Sequence, residues 1–106
     1  MAYTIKIADC NDPVIDLALR KLFAAAYDGK LELSERFLAM QLDSKASRQS
    51  FFLVAEENSE IIGCNGFIAN DFLLNGVHYV GYQSCCTAIH PAHQGTGVFS
   101  SLINEA

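Results

Sequence analysis

The sequence has few basic residues and no concentration of them. Its 106 residues include seven Lys and Arg against twelve Asp and Glu, which gives a formal net charge of −5. Because the basic residues are spread along the chain, we expect no nucleic-acid partner. The chain also lacks an apolar run of the ~20 residues that span a membrane, and residues 1–6 lack the layout of a secretory signal. These absences predict a soluble, cytoplasmic protein without a membrane partner.

The cysteines are spaced unlike those of a metal site. Cys10, Cys64, Cys85 and Cys86 include no Cys-x-x-Cys pair, and they are too few for a disulfide scaffold. We therefore predict no metal and interpret all four as reduced, structural thiols. A nucleophilic role for Cys85 or Cys86 would need a nearby cation or helix N-terminus. Adjacent strand residues point to opposite faces, so one of these two is expected in the core.

The patterning predicts one α+β domain with a mixed sheet and the element order β-α-α-β-β-β-α. About half of the residues are apolar, enough for one modest core. The predicted strands are 3–8, 51–56, 61–74 and 77–89, and the predicted helices are 13–27, 34–46 and 98 onward. Asp12 and Pro13 begin the first helix, Ser34 and Glu35 cap the second, and the Asn75-Gly76 turn joins the last two strands.

Two of the helices have apolar faces that indicate how they pack. In the first, Val14, Leu17, Ala18, Leu22 and Phe23 continue one apolar stripe that we expect to be buried. In the last helix, the residues that recur at helical spacing are Val98, Phe99, Leu102, Ile103 and Ala106.

A turn with two glycines stands between the last strand and the last helix. Gly95 and Gly97 permit backbone conformations that other residues avoid, and the helix that follows directs unpaired N–H groups and its positive dipole end to the same place. This arrangement is typical of an anion site, most naturally for a phosphate, although an ordinary glycine turn would look similar. A Walker loop is a poor fit because no lysine follows Lys45, and a dinucleotide fingerprint needs a third glycine where Ser100 stands.

Residues 89–98 resemble motif A of the GNAT (GCN5-related) N-acetyltransferases, the Gln/Arg-x-x-Gly-x-Gly/Ala signature. Pro91, Gln94, Gly95 and Gly97 carry the likeness, and the element order is that of the first two-thirds of a GNAT domain. Phe99 departs from the pattern, which prefers Gly or Ala there. We expect its side chain to turn inward, away from a ligand. The resemblance also implies a bulge in the fourth strand.

The resemblance implies that acetyl-CoA is the cosubstrate. Its pyrophosphate would accept hydrogen bonds from the backbone of Gln94, Gly95, Thr96, Gly97 and Val98. Ser100 could add a hydroxyl. The backbone that would bind the pantetheine arm is that of Thr87, Ala88 and Ile89, unless this edge simply pairs with another strand.

The catalytic residues are not readable from spacing. Acetyl transfer needs a neutral amine, so a base must remove a proton from it. Glu56, Gln83 and Ser84 are weak candidates, the last two because they are polar in an otherwise apolar strand. Glu56 and Glu57 fit a solvated hairpin end better, and His90 and His93 fit loop positions beside the phosphates. No spacing identifies Asp71, His78 or Tyr79.

Two functions remain from the sequence. The first is an N-acetyltransferase acting on a primary amine of a small molecule or peptide, and the acidic net charge mildly favours a cationic one. The second is a catalytically incomplete CoA-binding or interaction module. The fifth strand and fourth helix of the family are missing, so we expect residues 1–106 to form a single partial domain. An unpaired fourth strand would then favour a homodimer.

Overall fold

A four-stranded sheet runs through the computed structural model, which describes residues 3–30, 33–42 and 49–105. The strands are β1 (Thr4–Ile7), β2 (Phe51–Glu57), β3 (Glu60–Leu74) and β4 (Val77–Ile89), and the helices are α1 (Pro13–Ala26), α2 (Phe37–Gln41) and α3 (Val98–Glu105). The sheet order is β1-β2-β3-β4 with every pairing antiparallel, so the described strands contain no parallel pair of a mixed sheet. The predicted α+β class and element order are confirmed.

The first helix begins as its sequence predicts but buries a different face. Asp12 accepts a hydrogen bond from the Val14 amide (2.9 Å), and Pro13 occupies the first turn, where no amide partner is needed. The buried residues of α1 are Asp16, Leu19, Leu22 and Phe23. Val14 (74% exposed) and Leu17 were expected in the core and lie outside it. At 3.6 residues per turn, Val14 and Leu17 lie on the side of the helix away from the buried residues, so the first part of the apolar stripe was assigned to the wrong face.

The second helix is shorter than predicted. It covers five residues and starts after Arg36, whose φ of 63° is left-handed and cannot belong to a right-handed helix. The predicted cap by Ser34 and Glu35 is therefore wrong. Leu38 anchors the helix in the core with no exposed surface. Residues 43–46 of the predicted helix lie outside the described residues.

The sheet is covered on both faces, which explains why residues 51–55 of β2 are all apolar. Phe52 and Val54 pack with Leu19, Leu22 and Phe23 of α1. Leu53 and Ala55 pack on the opposite face with Val98 and Leu102 of α3. Since consecutive strand residues point to opposite faces, a strand between two helical layers has no polar face. Among the described residues, no helix is long and apolar enough to cross a membrane.

The hairpin of β3 and β4 extends beyond the helices. Asn75 and Gly76 both have positive φ (51° and 77°), as a two-residue hairpin turn requires, so the predicted turn is confirmed. Beyond Asn70 the hairpin exposes Phe72, Leu74, Val77 and Tyr79. Phe72 and Tyr79 are cross-strand partners, as are Leu74 and Val77, so these four side chains share one face of the hairpin.

Helix α3 lies directly against β3 at a glycine. A Cβ atom placed on Gly63 would come within 2.8 Å of Val98 Cγ1 and 2.9 Å of Ile89 Cδ1. Val98 begins α3 and Ile89 ends β4, so this one contact joins the helix start to the strand end. The glycine-bearing turn is held between those two residues.

We predict that Gly63→Ala destabilises the protein by about 1–3 kcal/mol, the usual cost of overpacking a core. The free energy of unfolding from urea titration measures this. Val98→Ala in the same chain removes the Cγ1 atom that the new methyl group meets. The double variant should therefore be more stable than the sum of the two single losses implies. Strictly additive losses would contradict the proposed contact.

Candidate functional site

Strand β4 contains a bulge opposite Asn65. Gly66 pairs with Cys85 and Cys64 pairs with Ala88, so Cys86 and Thr87 together face the single residue Asn65. Cys86 has a φ of 53°, a left-handed value that is uncommon for a residue with a side chain. The extra residue turns the backbone of β4 and changes which of its groups reach the open edge of the sheet.

The open edge of β4 next to the bulge carries two carbonyl groups that are already bonded. The His90 amide donates to the Ile62 carbonyl of β3 (2.8 Å). Because backbone groups alternate sides along a strand, those of Ile89 face the open edge and those of Ala88 face β3. Gln94 Nε2 donates to the Ile89 carbonyl oxygen (3.1 Å). The Tyr27 hydroxyl donates to the Thr87 carbonyl oxygen (2.8 Å). Of the three residues expected to bind the pantetheine arm, Ala88 is thus turned away from the edge.

The turn after β4 has a compact, hydrogen-bonded start and an open end. A 3-10 turn covers Pro91–His93, and the His93 carbonyl accepts from both the amide (3.3 Å) and the hydroxyl (2.5 Å) of Thr96. Gly95 and Gly97 have φ values of 80° and 90°. A Cβ atom on either glycine would find no atom within 4 Å. Glycine at these two positions therefore permits the positive φ values, and the space beside each Cα atom is open.

The start of α3 completes the site with backbone donors. Its first intrahelical bond joins the Ser101 amide to the Gly97 carbonyl (3.0 Å), so the amides of Val98, Phe99 and Ser100 precede that bond. These three residues line a cavity of about 300 Å³. The cavity is lined by Ile89, His93, Gln94, Gly95, Gly97, Val98, Phe99 and Ser100. A shallow cavity beside free amides and the positive end of a helix suits an anionic group.

Phe99 contradicts the expectation that it turns inward. Its side chain is 45% exposed and lines the cavity, whereas Val98 (1%) and Leu102 (0%) contact the sheet. Val98 and Leu102 are four residues apart and share the buried face, and Phe99 lies about 100° around the helix from Val98. Phe99 is therefore an apolar wall of the cavity. Ile103 is also exposed, and Ala106 lies outside the described residues.

The catalytic candidates separate into two groups. Glu56 lies on β2, two strands away from β4. It forms an ion pair with Lys6 of β1 (2.8 Å). The structure therefore does not bring Glu56 to the open edge. Gln83 and Ser84 precede the bulge on β4, and the Ser84 hydroxyl accepts a hydrogen bond from Asn65 Nδ2 (2.9 Å).

The structure adds three residues that the sequence analysis did not assign to the site. Tyr27 reaches the Thr87 carbonyl from the end of α1, and no local pattern predicts that contact. Glu57 Oε1 lies 3.9 Å from Nε2 of His93, which lines the cavity. Asn65 is fully buried in β3. A polar residue within the apolar run 61–69 was the one available signal for Asn65.

Raised pKa values keep the thiols of Cys10, Cys64 and Cys86 in their protonated form. Burial, with the nearby charges of Asp16 and Asp9, raises the pKa of Cys10 from 9.0 to about 11. Burial and the adjacent Cys85 raise the pKa of Cys86 to about 12, and burial raises the pKa of Cys64 still further. The four thiols are free, and the described residues contain no metal-binding group of three or more His, Cys, Asp or Glu. The raised pKa values agree with a structural role for Cys10, Cys64 and Cys86.

Comparison with known proteins identifies the fold. A model of the Acetyltransferase (GNAT) family matches residues 12–106. The structure is similar to an aminoglycoside acetyltransferase, meta-AAC0020, from an uncultured soil metagenomic sample, solved with sisomicin (TM-score 0.73, 18% identity, 98% of this chain and 66% of that one). It is also similar to a GNAT family acetyltransferase of Staphylococcus aureus (TM-score 0.71, 16% identity, 99% and 75%).

A third similar structure was solved with coenzyme A. It is an aminoglycoside 6′-N-acetyltransferase (TM-score 0.69, 16% identity), and the similarity covers 96% of this chain and 52% of that one. At such identities the likeness shows the fold. The chain spans just under two thirds of the length of meta-AAC0020. No curated protein matches the chain by sequence.

We predict that Cys10 reacts slowly with iodoacetamide in the folded protein. The thiolate is the reactive form, so a pKa of about 11 instead of 9.0 lowers its rate at pH 8 about 100-fold. Mass spectrometry of peptides after timed alkylation measures the rate, and the urea-unfolded chain is the control. Modification of folded Cys10 at the unfolded rate would contradict the prediction.

Proposed function

Because the chain belongs to the GNAT family of acetyltransferases, we propose that it is an acetyl-CoA-dependent N-acetyltransferase. It would transfer the acetyl group directly to a primary amine of a small molecule or peptide. One observation carries the proposal: an open turn with two left-handed glycines, Gly95 and Gly97, at the start of α3, beside the bulged free edge of β4.

The turn fits the pyrophosphate of the cosubstrate. The phosphate oxygens would accept hydrogen bonds from amides between Gln94 and Ser100, and the positive end of α3 would stabilise their charge. The open space over Gly95 and Gly97 lets the phosphates approach the backbone closely. The Ser100 hydroxyl, at the rim of the same cavity, would be a further donor.

The edge of β4 would hold the pantetheine arm and the thioester. In the reaction the amine nitrogen attacks the thioester carbonyl carbon, the new C–N bond forms, and the C–S bond breaks to release CoA. The amine loses a proton and the leaving thiolate gains one. Gln83 and Ser84 lie on β4 beside the bulge and stay candidates for contact with the acceptor, whereas Glu56 is held by Lys6.

A cationic primary amine is the acceptor that the charge of the chain favours. The formal net charge of −5 attracts positively charged substrates. Two of the similar structures are aminoglycoside acetyltransferases, one of them solved with sisomicin. We therefore propose polyamine-like or aminoglycoside-like acceptors. The four free thiols fit a reducing compartment, so we also propose a cytoplasmic location.

An alternative is a CoA-binding or interaction module without turnover. The similarity covers 66% of the length of meta-AAC0020. The described residues contain the turn and one side of a cleft at the β4 edge. Binding of acetyl-CoA without acetylation of any amine would favour this second function.

We further propose that the chain forms a homodimer through the hairpin of β3 and β4. The shared apolar face of Phe72, Leu74, Val77 and Tyr79 is exposed, and exposed apolar patches of this kind are typical of interfaces.

Sedimentation at several concentrations tests the dimer. We expect the mass of two chains at high concentration, and a single chain for the double variant Phe72→Ser and Tyr79→Ser. Leu17→Ser on α1 is the control, because it also removes an exposed apolar side chain, away from the hairpin. A monomer at every concentration would contradict the proposal.

Calorimetric titration with acetyl-CoA tests the function. We expect micromolar binding, with little binding of pantetheine that carries no phosphate, because the turn contributes mainly through the phosphates. A positive result would be followed by an assay of CoA release with primary amines. A well-folded chain that binds no acetyl-CoA would contradict the proposed function.

A matched pair of variants locates the binding site. Gly97→Glu places a carboxylate at the start of α3 and should lower acetyl-CoA affinity at least about 100-fold through steric block and charge repulsion. Gly76→Glu introduces the same charge at a glycine that also has positive φ and open surroundings, at the tip of the hairpin. It should bind normally. Equal losses in both variants would point to backbone strain and away from this turn.

A further inference from the structure

Asn65 is a fully buried polar residue on the strand that faces the bulge. Its Nδ2 donates to the Ser84 hydroxyl (2.9 Å) and to the Gly66 carbonyl (3.1 Å), and its Oδ1 accepts from the Thr87 hydroxyl. Burying an amide is costly unless its donors and acceptors are paired. Here each polar atom of the side chain has a partner, and two of the partners belong to β4.

The two partners on β4 lie on either side of the extra residue. Ser84 precedes the bulge, and Thr87 is its second residue. The regular ladder is interrupted between them, so the side chain of Asn65 supplies cross-strand bonds where the backbone register shifts. The hydroxyl of Tyr27, at the end of α1, donates to the carbonyl oxygen of the same residue, Thr87. Thr87 is thus fixed by one bond through its side chain and one through its backbone.

The glycine-bearing turn is fixed by other contacts. The Thr96 bonds to the His93 carbonyl define its start, and the packing of Val98 against Gly63 defines its end. None of the Asn65 hydrogen bonds described above involves residues 90–98. The bulge at Thr87 and the turn therefore have separate supports, and the bond from Gln94 to the Ile89 carbonyl links the turn only to the end of β4.

We propose that Asn65 is a positioning residue for the acyl end of the cosubstrate, acting through Thr87 and Ser84. It fixes the bulge in the orientation that presents the edge of β4 to the pantetheine arm and thioester. It contributes nothing to binding of the nucleotide end. This inference rests on the proposed function and adds to it a division of labour: Asn65 orders the reacting end, and the turn binds the phosphates.

The experiment compares two ligands on the purified chain by calorimetric titration. The first is acetyl-CoA. The second is adenosine 3′-phosphate 5′-diphosphate, which has the nucleotide and phosphates of CoA without the arm. For Asn65→Ala we expect acetyl-CoA affinity to fall about tenfold or more, because the edge is no longer held in its binding orientation. The affinity for the nucleotide should stay within about twofold.

Two further variants keep the test decisive. Thr87→Val removes one hydroxyl from the network and preserves the β-branched shape, so it should weaken acetyl-CoA binding in the same direction and less strongly. Asn70→Ala is the matched control, because Asn70 is a partly buried amide on the same strand and its side chain donates to the Ile68 carbonyl within β3 (3.2 Å). It should leave both affinities unchanged.

The outcomes separate this inference from the proposed function. Equal weakening of both ligands in Asn65→Ala, or no weakening of either, would overturn the positioning role. An unaltered chain that bound the two ligands equally well would show that the edge adds nothing, and only this inference would fail. An unaltered chain that bound neither ligand would overturn the proposed function and this inference together.

A second measurement needs no ligand. In a backbone amide spectrum of Asn65→Ala, the resonances of residues 85–89 should shift from their positions in the unaltered chain, and those of Gly95 and Gly97 should not. Unmoved resonances in β4 would contradict the role of Asn65 in holding the bulge. Shifts throughout the chain would indicate a general structural role and contradict the separate supports.

Discussion

The close approach of α3 to β3 at Gly63 is the constraint on which the candidate site depends. With no side chain at this position, Val98 and Ile89 can pack over the strand together. The start of the helix is thereby brought beside the end of β4. A turn that joins two fixed ends in this way holds its amides in place without a ligand, so little ordering entropy would be lost when an anion binds.

The rest of the core packs helices against both faces of the sheet. Helices α1 and α2 cover one face and α3 covers the other, which leaves β2 apolar on both sides. Asp16 links the two helices of the first layer, since its carboxylate accepts from Arg20 Nε (2.9 Å) and from the Arg36 amide (3.4 Å). The ion pair with Arg20 offsets part of the cost of burying this charge, although the buried Oδ1 of Asp16 has no hydrogen-bond partner among the described residues.

Local sequence signals predicted the elements that local physics controls. Strand β4 has the predicted bounds because Asn75-Gly76 and Pro91 flank it, and α1 begins at its predicted cap. The start of α2 was missed because the left-handed backbone of Arg36 has no signature in its neighbours. Helical spacing predicted an apolar face on α3. It could not predict that Val98 is buried and Phe99 exposed, because that depends on where Gly63 lies.

In the candidate site, too, the sequence predicted local features but not contacts between distant parts of the chain. Gly95 and Gly97 could be identified because positive φ and free amides follow from residue type and position. The place of the bulge could not be derived from residue spacing, since it depends on the register between β3 and β4. The bond from Tyr27 to Thr87 spans sixty residues of chain and has no local cause.

The two bonded carbonyls at the end of β4 have a consequence for the behaviour of the chain at high concentration. A strand that adds to a sheet edge needs free carbonyl oxygens as well as amides. The side chains of Tyr27 and Gln94 occupy those of Thr87 and Ile89. An incoming strand would have to displace both side chains before it could extend the sheet there. The two side chains therefore protect this end of the edge against the strand addition that begins fibrous aggregation.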